Sequence, residues 1–156
     1  MLSVENPRDL AKYVGAELAP SDWLVIDQAM IGKFAEATGD HQWIHVDVTR
    51  ARRDMPGGAT IAHGYLTLSL LPRLIGLTYR IGNLGRSLNY GANRIRFTNT
   101  VRVGARLRLR LTIKAVEAVD GDGARVTSGC IIEIEGEERP ALIAEIISQL
   151  YPQAAP

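Results

Sequence analysis

The chain has 156 residues, of which 46% are apolar and 22% are charged, and its formal net charge at pH 7 is +1. These values suit one globular domain with a buried core, and they exclude a strong electrostatic attraction to nucleic acid or an anionic membrane. The single cysteine, Cys130, excludes an intrachain disulfide. Residues 61–77, the most apolar segment, are too short and too polar to span a bilayer, and no signal-peptide pattern begins the chain. We therefore expect one domain over residues 1–156, cytoplasmic, without membrane insertion or a nucleic-acid partner.

The first half of the chain has the pattern of helices and loops. Asp27 is a typical helix N-cap, apolar residues follow it at helical spacing, and Gly39 is suited to end that helix in the left-handed conformation. Residues 40–47 form a polar stretch, and residues 49–53 could form one helical turn. We also predict a short strand at residues 23–26.

The most apolar helix is predicted over residues 64–77, where few polar side chains interrupt the sequence. A helix that is apolar nearly all round is expected to be buried. Pro72 lies inside this segment, and it should bend the helix or remove one of its hydrogen bonds.

After residue 82 the pattern changes to strands. In residues 105–115 apolar side chains alternate with arginine, threonine and lysine, as expected for a strand with one wet face. Residues 120–123, DGDG, predict a tight hairpin turn. The other predicted strands are residues 89–98, 126–135 and 141–151. A long antiparallel sheet wrapped around the apolar helix would bury both elements, so we predict the α+β class and a hotdog fold.

The titratable residues of the first half cluster in one window. The histidines, His41, His45 and His63, all fall within residues 41–63, close to Asp40 and Asp47. Titratable groups that cluster beside glycine-rich loops are typical of a catalytic or binding site.

Asp40 and His45 form a candidate acid–base pair. A loop of this length can bring a carboxylate and an imidazole to one water molecule. Such a pair suits the addition of water across a polarised double bond, because one proton leaves the water and another reaches carbon. Spacing alone leaves open that Asp40 bonds loop amides and that His45 is a packed histidine.

Other kinds of site remain open from the residues alone. His41, His45, Asp47 and His63 offer ligands for zinc or iron, although no helical zinc-binding spacing occurs. Ser69 lies outside any G-x-S-x-G elbow, and a hydrogen bond back to a helix carbonyl would explain it. Cys130, in an apolar strand-like run, is expected to be an inert buried thiol.

Gly64 follows His63 and opens the apolar helix. The first N–H groups of a helix have no partner within it, and glycine lets an acyl group approach the backbone closely. The Gly64 amide could therefore stabilise the enolate-like oxygen of a thioester as water adds. The alternative is a glycine needed only for the turn. We expect His63 to brace the loop.

Two segments carry a resemblance to a known family. Residues 34–47 read FAEATGDHQWIHVD and residues 61–64 read IAHG. Together they resemble the signature of MaoC-like dehydratases, the (R)-specific enoyl-CoA hydratases of the hydratase 2 type. Residues 89–97, NYGANRIRF, resemble the nodulation-protein-N-like branch of that family. Many members have Asn-Pro where this chain has Gln42 and Trp43.

The resemblance implies a fold, an assembly and site residues. It implies a single hotdog with the helix after Gly64 at its centre, and a homodimer whose two sheets join edge to edge. Asp40 and His45 match the catalytic pair that acts with a bound water, and the Gly64 amide matches the group that binds the thioester carbonyl. Further substrate-binding residues are expected to be Gln42, Tyr65 and Asn93.

The implied reaction is the reversible syn addition of water to a trans-2-enoyl thioester of coenzyme A or an acyl carrier protein. We expect no metal or redox cofactor, because the thioester itself supplies the activation. A hotdog thioesterase and a non-catalytic acyl-thioester-binding subunit remain the alternatives.

Overall fold

The computed structural model describes residues 1–154 and contains five short α-helices and seven β-strands in that range. A 3-10 helix, Pro7–Tyr13, lies near the N-terminus. The helices are α1 (Gln28–Thr38), α2 (Trp43–Val46), α3 (Val48–Asp54), α4 (Gly64–Ser69) and α5 (Leu71–Ile75). The strands are β1 (Leu2–Val4), β2 (Leu24–Val25), β3 (Tyr79–Ile81), β4 (Leu84–Phe97), β5 (Arg106–Val119), β6 (Gly123–Ile134) and β7 (Leu142–Pro152).

The main sheet has five antiparallel strands in the order β2-β5-β6-β7-β4. The predicted hairpin turn joins β5 to β6, and both Gly121 and Asp122 have positive φ angles, 68° and 54°. Two central residues with positive φ give the turn that matches the twist of paired strands. A second, parallel pair forms between β1 and β3, which the sequence pattern did not predict.

Alternation along β5 separates a buried face from a wet face. Leu107, Leu109 and Leu111 are fully buried. On the other face Arg108 pairs with Glu133 at 2.6 Å. The apolar face of the sheet therefore covers the core, and the arginines that interrupt the sequence pattern lie on the outside, as predicted.

The predicted long helix is two short helices. α4 ends at Ser69 and α5 begins at Leu71, with Pro72 in its first turn, where a missing N–H costs nothing. The predicted continuous helix over residues 64–77 is therefore wrong. Pro72 was expected to bend that helix or to remove one of its hydrogen bonds, and it lies in the first turn of a second helix instead.

The prediction that this helical segment is buried holds for one of its sides only. Leu66, Leu71 and Leu74 are buried in the core. Leu68 and Ile75, on the other side, line an apolar groove of about 1020 Å³ between α4–α5 and strands β4 and β7, which we call the long groove. The apolar character of the segment therefore reflects two surfaces, one against the sheet and one along the groove.

β4 is the strand whose length the sequence predicted least well. It begins at Leu84 rather than at residue 89, and its pairing with β7 shifts register at three places. Those irregularities break the alternation of apolar and polar side chains on which the prediction relied. β4 lies at the edge of the sheet and is exposed along most of its length.

Within residues 1–154, none of the helices has the length and apolar character needed to cross a membrane.

Candidate active site

Two local signals fix the ends of α1 and place Asp40 just past it. The Asp27 carboxylate accepts a hydrogen bond of 2.7 Å from the Met30 N–H and so begins α1. Gly39 ends α1 with a φ of 76°, and its N–H donates to the Ala35 carbonyl at 2.8 Å. Asp40 therefore lies directly after the Gly39 cap, just past the end of the helix, as the sequence predicts.

The Asp40 side chain is bound on one side and open on the other. Its Oδ1 accepts a hydrogen bond of 3.3 Å from the Gln42 N–H, a local turn that aspartate favours. The side chain is 56% exposed. The carboxylate therefore keeps accepting capacity for a ligand or a water molecule.

His45 lies in α2 and is 7% exposed. Its Nδ1 is 2.7 Å from the Ile61 carbonyl oxygen. A carbonyl can only accept, so in the neutral ring Nδ1 carries the hydrogen and Nε2 presents a lone pair. Burial lowers the pKa of His45 below its ordinary value of 6.5, and the charge of His63 lowers it further. The neutral, proton-accepting form is therefore favoured at pH 7.

A chain of polar contacts fixes the position of α2. The Gln28 amide donates to the His45 carbonyl at 2.8 Å, and the Thr60 hydroxyl donates to Gln28. The Ile61 N–H donates to the Ile44 carbonyl at 3.0 Å. Sequence reasoning missed Gln28 and Thr60, because their roles depend on contacts between segments distant in the chain.

His63 contacts both members of the candidate pair. Its Nε2 lies 2.9 Å from the Asp40 backbone carbonyl, and its ring stacks on the His45 ring with centroids 3.7 Å apart. The Asp40 carboxylate is 4.0 Å from the same Nε2. These contacts agree with the expectation that His63 braces the loop.

The metal-ligand set proposed from sequence is only partly brought together. Ligand atoms of Asp40, His45 and His63 all lie within 4.8 Å of one another, so these three residues could hold a metal ion. His41 instead faces Glu36 at 3.7 Å, and the Asp47 carboxylate accepts from the Arg50 N–H at the start of α3. His41 and Asp47 are therefore surface and capping residues.

Gly64 lies beside a cavity of about 360 Å³, which we call the site cavity. His45 and Thr67 also line it. A Cβ atom at position 64 would lie 3.1 Å from ring atoms of Phe97, closer than ordinary carbon–carbon contact. A side chain at position 64 would therefore force the Phe97 ring to shift.

The remaining predicted site residues lie in different places. Gln42 precedes α2 and bonds Asp40 through its backbone. Tyr65 is 67% exposed and contacts the Phe97 ring edge-on at 5.5 Å. Asn93 lies on β4 and donates to the Glu145 carboxylate, and it is not among the described residues that line the site cavity with His45.

The two other reactive side chains have structural explanations. The Ser69 hydroxyl donates to the Tyr65 carbonyl at 2.7 Å, the back-bond expected for a helical serine. Cys130 is buried, and burial raises the pKa of its thiol to about 12. Both residues are therefore unsuited to nucleophilic catalysis.

Comparison with known proteins identifies relatives across nearly the whole chain. The chain is 43% identical over 147 residues to 3-hydroxyacyl-thioester dehydratase Z of Mycobacterium tuberculosis, covering 94% of this chain and 97% of the relative. It is 41% identical over 153 residues to nodulation protein N of Rhizobium meliloti, covering 95% and 94%.

The fold also matches solved structures. An R-hydratase from Pseudomonas aeruginosa superposes with a TM-score of 0.69 at 21% identity, covering 96% of this chain and 89% of that chain. This similarity confirms the predicted α+β hotdog fold. The family model for the MaoC like domain matches residues 9–133. The chain therefore belongs to the MaoC-like family, as its sequence motifs predicted.

Proposed function

We propose that this chain is a hydro-lyase that adds water reversibly to a trans-2-enoyl thioester and forms the (R)-3-hydroxyacyl thioester. The observation that carries the proposal is the arrangement of Asp40, His45 and Gly64. Two proton acceptors lie close together, and a backbone amide borders the cavity that one of them lines. The names of a 43% identical dehydratase and of R-hydratases with the same fold support this assignment.

The separation of the two acceptors suits one water molecule. Two hydrogen bonds of about 2.8 Å from one water, at a tetrahedral angle, join acceptors about 4.6 Å apart. A carboxylate oxygen of Asp40 and a ring nitrogen of His45 lie within 4.8 Å. An ionised carboxylate and the free Nε2 both accept, so this water donates both its hydrogens and turns its lone pairs toward the substrate.

The Gly64 amide is suited to bind the carbonyl oxygen of the thioester. We place the thioester carbonyl oxygen on this N–H, which has no partner within α4. Attack of the water oxygen on C3 displaces the π electrons of the double bond toward C2 and the carbonyl oxygen, and a fixed donor stabilises this enolate-like state more than the substrate.

The proposed steps conserve atoms and charge. The oxygen of the water forms a bond to C3 while one of its protons passes to the Asp40–His45 pair. The double bond then accepts a proton from the pair at C2, on the same face, and the (R)-3-hydroxyacyl thioester results. Dehydration is the reverse. The shared proton belongs to the pair rather than to one residue.

We propose that this reaction requires neither a metal nor a redox cofactor. The thioester carbonyl already withdraws electrons from C3, and the oxidation state of the acyl group as a whole does not change. Asp40, His45 and His63 act in this proposal as acid–base and bracing groups rather than as ligands.

The long groove is suited to the acyl chain of the substrate. Thr67 lines the site cavity, and Leu68, the next residue of α4, lines the long groove. Apolar residues of α5, β4 and β7 also line the long groove. The carrier of the acyl group, coenzyme A or an acyl carrier protein, would remain on the solvent side.

We propose a homodimer that forms through β4. This edge strand exposes 47% of Leu88 and 56% of Tyr90. An unpaired edge strand with exposed apolar side chains is a template for pairing with another strand. Edge-to-edge pairing of two copies would cover these residues and place Asn93 near the seam.

A thioesterase would use the same pair to direct water at the carbonyl carbon, and an acyl-binding subunit would bind the thioester without turnover. The deciding assay follows loss of the enoyl absorbance and release of free thiol in parallel, across crotonyl- to dodecenoyl-CoA. We expect loss of absorbance without thiol. Thiol release at a matching rate would indicate a thioesterase, and neither signal would indicate a binder.

Substitution of the pair completes the test. Asp40→Asn and His45→Asn should each lower kcat by at least about 10²-fold. Asparagine at position 45 can still donate to the Ile61 carbonyl, so the loop is preserved. The matched controls are Asp47→Asn and His41→Asn, which change the same residue types on the same loop and should retain activity. Unchanged turnover in both pair variants would remove the assignment.

A further inference from the structure

His63 is more deeply buried than either residue of the proposed catalytic pair, and it has an unused nitrogen. It is 3% exposed and lies between the Phe34 ring, 5.0 Å from its own, and the His45 ring, 3.7 Å away. Its Nδ1 has no hydrogen-bond partner among the described residues. A buried polar atom without a hydrogen-bond partner lowers the stability of the fold. Stability alone therefore does not explain a histidine at this position, and another property of its imidazole must.

The other ring nitrogen makes a bond that fixes its tautomer. Nε2 lies 2.9 Å from the Asp40 carbonyl oxygen, which can only accept, so Nε2 carries the hydrogen. Asp40 follows the end of α1, and its carboxylate accepts a hydrogen bond from the nearby Gln42 N–H. The His63 hydrogen bond therefore connects the backbone of Asp40 to the residue that precedes α4.

The stacking contact restrains the second member of the pair. The His45 and His63 ring planes are inclined by 25°, so the two imidazoles lie nearly face to face. The Ile61 carbonyl holds the edge of the His45 ring, and His63 covers its face. One side chain thus contacts both groups that must converge on the water.

We propose that His63 is a positioning residue that sets the separation of Asp40 and His45, chiefly through its hydrogen bond to the Asp40 backbone. This proposal rests on the hydratase function proposed above. In this role His63 does not contact the substrate. It fixes the start of the loop relative to the Gly64 amide, so that carboxylate, imidazole and amide keep one arrangement.

Two substitutions separate the hydrogen bond from the stacking contact. His63→Phe keeps an aromatic ring against His45 and removes the donor. His63→Gln removes the ring and keeps an N–H that can reach the Asp40 carbonyl. His41→Gln is the control, because this histidine is half exposed and faces Glu36. Thermal melting of each variant shows whether it folds.

We expect His63→Phe to lower kcat by about tenfold to a hundredfold with KM changed less than about twofold, since a misplacement near 1 Å has effects of this size. His63→Gln should retain more activity than His63→Phe, and His41→Gln should match the wild type. Two results would overturn the proposal: a kcat of folded His63→Phe within twofold of wild type, or a His63→Gln variant no more active than His63→Phe.

A positioning role is separated from a merely structural one by two readouts: the fall in kcat at a nearly constant KM in folded His63→Phe, and the partial recovery of kcat in His63→Gln. Loss of the hydratase function would instead appear as an inactive wild type, so the two failures are distinguishable.

Discussion

The substitution Gly64→Ala tests the role of the backbone amide at the start of α4. The added Cβ would lie 3.1 Å from Cγ and Cδ1 of Phe97. Carbon atoms in good contact are about 3.5–4.0 Å apart, so the ring must shift by about 0.5 Å. Phe97 is 45% exposed and can make that shift.

The expected effect on stability is small because two contributions oppose each other. Replacing glycine by alanine in a helix contributes about 0.5–1 kcal/mol, and the crowding at Phe97 costs about 1 kcal/mol. The net change should stay within about 1 kcal/mol, which corresponds to a shift of about 2–4 °C in Tm for a domain of this size.

The expected effect on catalysis is large. The methyl group would lie beside the N–H on which we place the thioester oxygen. A displacement of the substrate by about 1 Å costs about 10²-fold in rate, or about 2.7 kcal/mol of transition-state stabilisation. The enoyl-CoA hydration assay should therefore show kcat/KM reduced about a hundredfold while thermal melting changes little.

The double variant Gly64→Ala/Phe97→Leu separates the two effects of the methyl group. Leucine relieves the contact with the ring but leaves the methyl beside the amide, so activity should remain low. Recovery of wild-type kcat/KM in the double variant would show that the loss came from the displaced Phe97, and it would refute the role given to the amide.

Three further predictions concern the helix cap, the pH dependence and metals. Asp27→Ala removes the cap that accepts from Met30 N–H and should lower the free energy of unfolding by about 1 kcal/mol in a urea titration, with full activity in the folded protein. Burial lowers the pKa of His45, and His63 lowers it further to a smaller extent. The neutral form of His45 therefore persists at lower pH. The acid limb of kcat/KM should therefore lie below pH 6.5, and a limb above that value would contradict the described burial. Dialysis against EDTA should leave hydration unchanged, whereas a loss restored by zinc would assign Asp40, His45 and His63 to a metal.

Local sequence signals predicted much of the fold. The Asp27 cap, the Gly39 helix end and the turn at residues 120–123 each follow from the chemistry of a few adjacent residues, and the structure contains all three. The alternation in β5 likewise predicted its buried face. β1 and β3 were missed, because a strand of three residues has too few alternations to be distinguished from a loop.

The candidate site was predicted where its residues are close in sequence. Asp40, His45 and Gly64 could be proposed from spacing and resemblance. The contacts of Gln28 and Thr60 with each other, and of His63 with His45, depend on tertiary packing, which no local pattern encodes. Asn93 was selected by resemblance, and its role in substrate binding stays a prediction.

We propose that Asp40 and His45 act on one water molecule. The most direct test compares kcat of the double variant Asp40→Asn/His45→Asn with kcat of its two single variants. Residues that act as a unit have non-additive effects. If each single variant loses about 10²-fold in kcat, the double variant should also lose about 10²-fold. A loss of about 10⁴-fold, the product of the two single effects, would show that the residues act independently and would contradict the shared water.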